Sequence, residues 1–310
     1  MSKIVLIGCG AVGSTFAYTV LIKALANELV IIDANRSKAE GDVLDLNHGL
    51  LLAKPMKIIA GDYADCAGAD IVVITAGAAQ RPGETRIDLM HRNVAIFDSI
   101  IKQITPHNQQ AILLIASNPV DILTQVALKL SGWPKERVIG SGTILDSSRF
   151  RYLVAERLRV DPRNVHGFIV GEHGDTEVPL WSSLGVAGLR LDDCSDQRWC
   201  LDAAERERIY RDTKGAAYEI IQKKGATYYA IALTLARICE AILKDQRSVL
   251  PVSSYLTDYH SVSGVCLGVP TIVGRGGVEE LVRMRLTDEE ERQFHHSAAS
   301  LREFLESIGF

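Results

Sequence analysis

Apolar residues in the first half of the chain come in short consecutive runs, each closed by a glycine-rich or polar turn. Lys3–Ile7 and residues 29–32, 56–60, 70–75 and 111–116 are such runs. Consecutive rather than alternating apolar positions mark strands buried on both faces. Segments with helical spacing separate them, most clearly residues 14–26 and Arg86–Ile104. Strands alternating with helices predict βαβ units and a parallel sheet, to which Val138–Gly140 adds one more strand.

The second half has another texture. Residues 147–158, 203–222 and 228–244 read as helices, and residues 165–170 and 177–181 as strands around a glycine-rich turn. Residues 248–256 and 262–269 alternate like antiparallel strands, and Thr287 with Glu290 three residues on predicts the start of a terminal helix running to about Ser307. The change of pattern near residues 140–146 predicts an α/β chain of two parts. Residues 1–142 form a parallel-sheet unit, and residues 143–310 an α+β unit containing antiparallel strands.

Composition narrows the picture mainly by exclusion. The 310 residues carry 34 Lys plus Arg against 38 Asp plus Glu, a net charge of −4 with no basic block, which argues against a nucleic-acid partner. No stretch is long and apolar enough to span a membrane, and the run after Met1-Ser2-Lys3 is too short for a signal-peptide core. The six cysteines never form a CxxC pair, so reduced thiols in a cytoplasmic protein are expected rather than disulfides or a zinc knuckle.

The motifs are more informative. The first run leads into Gly8-Cys9-Gly10-Ala11-Val12-Gly13 and then a helix, and Asp33 stands at the tip of the next run, 20 residues after Gly13. In that context Gly8 permits a tight turn, and Gly10 lets a diphosphate approach the backbone. Gly13 lets the helix pack on the sheet with the phosphates at its N-terminus. Asp33 accepts hydrogen bonds from ribose hydroxyls and repels a 2′-phosphate, which favours NAD over NADP. A plain βα turn and another adenine cofactor, such as FAD, stand as alternatives. Cys9 reads as a small side chain tolerated between glycines.

Four further clusters each carry a chemical and a bland reading. Residues 79–86 hold Arg81 and Arg86 around Pro82-Gly83, either a loop that closes over an anion or a solvated surface loop. Asn118 before Pro119 either holds a carboxamide or substrate oxygen or makes a turn. Asp146, Arg149 and Arg151 open a helix, where the bland reading of Asp146 is an ordinary cap. His173, within Gly171-Glu172-His173-Gly174-Asp175, is either a proton carrier or a capped turn residue. No second histidine stands near it at ligand spacing, His295-His296 look solvated, and no metal is expected. Hydride chemistry on an alcohol or carbonyl needs a proton carrier, an acid to orient it, and cations for an anionic substrate and its carbonyl. His173, Asp146, Arg149 and Arg86 fill these roles once each, which predicts an NAD-dependent hydroxyacid or alcohol dehydrogenase.

Residues 7–13, 75–86, 117–121, 140–146, 171–175 and 224–227, taken together in order and spacing, closely resemble the lactate/malate dehydrogenase family, on its bacterial, fructose 1,6-bisphosphate-activated L-lactate side. The resemblance implies a Rossmann-type NAD-binding unit followed by a catalytic unit, a homotetramer, and a cytoplasmic enzyme of fermentation interconverting pyruvate and L-lactate. It implies that His173 exchanges the proton, Asp146 fixes its tautomer, Arg149 grips the substrate carboxylate and Arg86 polarises the keto group. Asn118 is then a second contact to the substrate oxygen, Thr227 a pocket wall and Ile231 a neighbour of nicotinamide. Val12, Asp33, Lys38, Tyr63, Gly77, Ala78, Ser99 and Ser141 match cofactor contacts. Gln80 stands where the malate branch carries arginine, so a second substrate carboxylate would be left unpaired, which favours lactate. Arg151 and His166 match the activator site at a subunit interface. A malate or broader 2-hydroxyacid dehydrogenase and a non-catalytic dinucleotide sensor are the alternatives.

Overall fold

Burial on both faces decides the architecture. The computed structural model describes residues 2–78, 83–194 and 196–310. Strands β1 (Lys3–Ile7), β2 (Glu28–Ile32), β3 (Lys57–Ala60), β4 (Ile71–Ile74), β5 (Ile112–Ile115) and β6 (Val138–Gly140) lie parallel in the order β3-β2-β1-β4-β5-β6. Helices α1 (Ala11–Lys23), α2 (Arg36–His48), α3 (Arg86–Ile104) and α4 (Val120–Ser131) connect them. The second half contributes α5 (Ile144–Leu158), α6 (Ala203–Lys224), α7 (Tyr229–Leu243) and α8 (Asp288–Ser307).

Alternate strand residues serve opposite faces. Val5, Ile7, Val72, Ile74, Leu113 and Ile115 pack with Phe97 and Ile101 of α3, Leu123 and Val126 of α4, and Phe294 and Leu301 of α8. Ile4, Leu6, Ile71, Val73, Ile112 and Leu114 pack on the other face with Phe16 and Val20 of α1 and Leu235 and Ile238 of α7. Each fully buried side chain of this size is worth about 1.5–3 kcal/mol. Strand order reverses at β1, whose neighbours are β2 and β4. The crevice at the carboxyl ends of these strands is therefore the place for a ligand.

Antiparallel strands expected in the second half are present, and two of them, with a third at Gly277–Leu281 that the sequence reading did not include, extend the first-half sheet. Strands β7 (Val165–His166), β8 (Ile169–Val170), β9 (Val178–Pro179), β10 (Gly185–Val186) and β11 (Leu189–Arg190) form two small sheets, β11-β10-β7 and β8-β9. Strands β12 (Ser248–Tyr255), β13 (Cys266–Gly274) and β14 (Gly277–Leu281) continue the large sheet beyond β6, joined antiparallel where Ser253 faces Gly140. A side chain at Gly140 would collide with Thr124 and Ser253, so the splice depends on glycine. A third core, with Phe150, Val154, Val165, Ile169, Leu184 and Ile209, lies under α5 and α6.

Several boundaries depart from the sequence reading. The run 165–170 splits into β7 and β8, because Gly167 is wedged against Leu184 and Phe150 and breaks the ladder. Helix α1 starts at Ala11, directly after the glycine turn, and takes Gly13 inside it. Helix α5 starts at Ile144, so Asp146 is not a cap. Thr143 takes the cap position and donates its hydroxyl to the Ile169 carbonyl instead. The second long antiparallel strand begins at Cys266 rather than Val262, because Tyr259 and Val262 close a tight turn before it.

Candidate active site

The dinucleotide end is mostly backbone. Gly8 has φ +99°, and a side chain there would strike the backbone of Ala76. One at Gly13 would lie 1.9 Å from the Gly8 carbonyl oxygen. The turn is thus wrapped against the start of its own helix and against the end of β4, whose extension Thr75 donates its hydroxyl to Gly8 O at 2.6 Å. Gly10, the residue before α1, faces open space. That leaves room for a diphosphate over the free N–H groups of the helix N-terminus, so the residues present fit a dinucleotide.

Asp33 is held in place by its own neighbours. Its carboxylate accepts from Cys9 N at 2.7 Å and Asn35 N at 2.8 Å. Burial opposes its charge, but these bonds outweigh that and hold it below the usual carboxylate range. Burial and Asp33 together push the Cys9 thiol up to about 12, which keeps it an unreactive neutral filler. Lys38 reaches Asp42 at 2.9 Å and Ser14 at 3.2 Å, and Ser14 donates to Cys9 O. Tyr63 stands half-buried in the turn after β3, and Val12 packs onto the core beneath α1. Ala78 N donates to Asn93 Oδ1 at 2.8 Å, and buried Ser117 donates to Ala76 O at 2.6 Å, which fixes the Gly77-Ala78 turn. Ser141 is buried at the end of β6, Ser99 is exposed on α3, and Asn118 is exposed before α4.

At the other end, one carboxylate is shared by two cations. Asp146, 3% exposed in the first turn of α5, meets His173 Nδ1 at 2.5 Å through Oδ2 and Arg149 Nη1 at 3.0 Å through Oδ1. Burial raises the Asp146 pKa, and the His173 and Arg149 charges more than reverse that, leaving it lowered. Burial would lower His173, but Asp146 raises it to about 9. The free protein therefore holds an imidazolium at neutral pH, with Nδ1 committed to Asp146 and Nε2 left for chemistry.

The backbone of His173 is fixed as well. His173 N donates to Asp121 Oδ2 at 2.7 Å, and Ser253 Oγ donates to Asp121 Oδ1 at 2.5 Å. Asp121 is 2% exposed, and burial pushes its pKa to about 6 against those two bonds. The glycines on either side of His173 do not explain this anchoring. Asp121, Ser253, Thr75 and Asn93 are positioning groups that the sequence reading missed. Asp121 and Thr75 left a local signal, their places in Ser117–Asp121 and at the head of residues 75–86, whereas Ser253 and Asn93 left none.

The remaining expected residues are less closely joined. Arg86 opens α3 after a Thr85–Asp88 capping box, and its side chain lies outside the described residues, as does Gln80 altogether. Thr227 stands on the turn between α6 and α7. Arg151 is half-buried on α5 with its Nε unpartnered among the described residues, and burial lowers its pKa. His166 is exposed on β7, which packs against α5. Among the described residues no group of three His, Cys, Asp or Glu is placed to hold a metal, and no helix is long and apolar enough to cross a membrane.

Known proteins carry the same two parts. Residues 2–140 match the NAD binding domain of lactate/malate dehydrogenase, and residues 143–309 its alpha/beta C-terminal domain. The L-lactate dehydrogenase of Acetivibrio thermocellus is 52% identical over 309 residues, covering 99% of this chain and 98% of its own. L-lactate dehydrogenase 1 of Clostridium acetobutylicum is 50% identical over 99% of this chain and 98% of its own. The ligand-bound crystal structure of the minor L-lactate dehydrogenase from Enterococcus mundtii is 42% identical and superposes with a TM-score of 0.96, over 99% of this chain and 98% of that one. By these matches along both halves, the chain belongs to the lactate/malate dehydrogenase family.

Proposed function

We propose that this protein catalyses reversible hydride transfer between L-lactate and NAD, giving pyruvate and NADH. The observation that carries the reading is the Asp146 carboxylate held between His173 and Arg149. When bound, NAD supplies or accepts the hydride. Residues 1–142 would hold it, through the Gly8–Gly13 turn, Asp33 and the Gly77-Ala78 turn, and would lend Gln80, Arg86 and Asn118 to the substrate, while residues 143–310 would bring the proton carrier, Arg149 and Thr227. In the direction of lactate formation His173 donates its Nε2 proton to the keto oxygen as that oxygen gains charge. Asp146 keeps Nδ1 protonated and the ring aligned throughout. Arg149 retains N–H donors beyond the one given to Asp146, and these pair with the substrate carboxylate. Arg86 and Asn118 stabilise the developing charge on oxygen, with Gln80 and Thr227 lining the methyl end.

Regulation and assembly belong to the same reading. A bisphosphate such as fructose 1,6-bisphosphate would pair with Arg151, whose Nε has no partner among the described residues, together with His166. A homotetramer would cover the exposed apolar side chains of Leu44, Leu51, Leu52, Tyr229 and Leu233. Cytoplasmic action is part of this proposal. NADH oxidation with pyruvate and then oxaloacetate, with and without the bisphosphate, tests it. Pyruvate is expected to be the better substrate and the bisphosphate to lower its KM. Faster turnover of oxaloacetate would move the protein to the malate branch, and NADH binding without turnover of either acid would make it a sensor.

A further inference from the structure

The segment after His173 carries a buried carboxyl group that the mechanism above leaves unused. Glu177, just before β9, is 5% exposed. Its backbone is tied down: its N–H donates to Gly174 O, and its carbonyl accepts from Tyr210 Oη of α6 at 2.7 Å. Its side chain is not. The Oε1 atom is buried, and among the described residues no donor reaches it. A carboxylate with one oxygen buried away from water and offered no donor is disfavoured as the charged form, which favours the neutral acid.

The groups facing it are charged on every side. Asp146 and Arg149 come from α5, His173 and Asp175 from the same loop, Lys214 and Glu207 from α6, and Glu290 and His296 from α8 across a cavity of about 570 Å³. Lys214 is already committed to Asp175, and Glu290 to Ser182 and Thr287. Burial, with Asp146 adding to it, pushes Glu177 up to about 8, against the pull of His173, Arg149 and Lys214. With His173 protonated, the trio of Asp146, Arg149 and His173 has one net positive charge for an incoming anion. A second carboxylate beside it cancels that charge.

We propose that Glu177 is a charge-setting, positioning residue of the substrate site: as the neutral acid it leaves Arg149 its positive charge for a substrate carboxylate, and as the carboxylate it weakens the hold on an anionic substrate. The proposal rests on the 2-hydroxyacid reading above. L-lactate is the discriminating substrate, because loss of the His173 proton favours its binding whereas ionised Glu177 opposes it. The KM for L-lactate is expected to stay level or rise between pH 7 and 9 in the wild-type protein and to fall in Glu177→Gln. The difference reaches about threefold to tenfold at pH 9 and is carried by KM, not kcat. Identical KM profiles in the two proteins overturn the proposal. Infrared spectra give a second readout, one that does not depend on the variant folding. The wild-type protein shows a protonated-carboxyl C=O stretch at pH 7 that fades by pH 9, and Glu177→Gln lacks it. A wild-type spectrum without that fading band also overturns it. A protein that keeps the band but turns over neither lactate nor pyruvate fails the functional reading and not the assignment of Glu177.

Discussion

The two ends of the crevice reach their geometry by different routes. At the dinucleotide end backbone groups do most of the work: Cys9 N meets Asp33, Gly8 O accepts from Thr75, and Gly13 sits on Gly8. At the proton-transfer end every contact runs through a buried carboxylate side chain. His173 meets Asp146 across 27 residues and Asp121 across 52, and Asp121 meets Ser253 across 132. A backbone-built site tolerates exchange of many side chains but no added Cβ at its glycines. A side-chain-built site fails at single substitutions and depends on pH.

The contrast makes predictions of decreasing size. His173→Ala is expected to lower turnover by about 10³–10⁴-fold while NADH binding, followed by nicotinamide fluorescence, stays within about twofold. Loss of both together would mean that the two ends are not separable. Gly13→Ala is expected to do the reverse, costing about 2–3 kcal/mol of stability and weakening NADH binding, because its Cβ meets the Gly8 carbonyl at 1.9 Å. A urea unfolding midpoint equal to wild type would refute the tight-turn argument.

The third prediction concerns pH. His173 has a folded pKa of about 9, raised from 6.5, so the native state binds this proton more tightly than the unfolded chain does. Its contribution to stability is fully present below pH 6.5 and is lost as pH rises through 9. In Asp146→Asn that contribution is removed. The gap in Tm between wild type and Asp146→Asn should therefore narrow from pH 6.5 to 9, whereas the gap between wild type and Gly13→Ala should stay constant. A gap for Asp146→Asn that does not change with pH would detach the imidazolium from Asp146.

The same contrast explains what could be read from the sequence. The parallel strands were legible because both-face burial leaves consecutive apolar residues, and the glycine turn because its spacing is local. His173, Asp146 and Arg149 were legible as residue types in suggestive turns. That Asp146 serves two cations at once was not, since it depends on where α5 begins. Ser253 gave no signal, because a hydroxyl inside an apolar strand looks the same whether it binds a distant carboxylate or its own backbone. The return of β12–β14 to the first sheet was hidden for a similar reason: alternation identifies a strand but not its neighbour.

That return also sets an order of events during synthesis. The six parallel strands are complete once Gly140 has emerged, yet the face that α7 covers stays bare until Leu243 follows, and the Asp121 anchor of His173 waits for Ser253. A growing chain therefore assembles its dinucleotide turn early and its proton carrier late. In between, the core that α1 shares with these strands lacks Leu235 and Ile238 of α7, which leaves part of that face open to water. A chain cut short before Ser253 lacks the hydroxyl that holds Asp121, the anchor of the loop that bears His173.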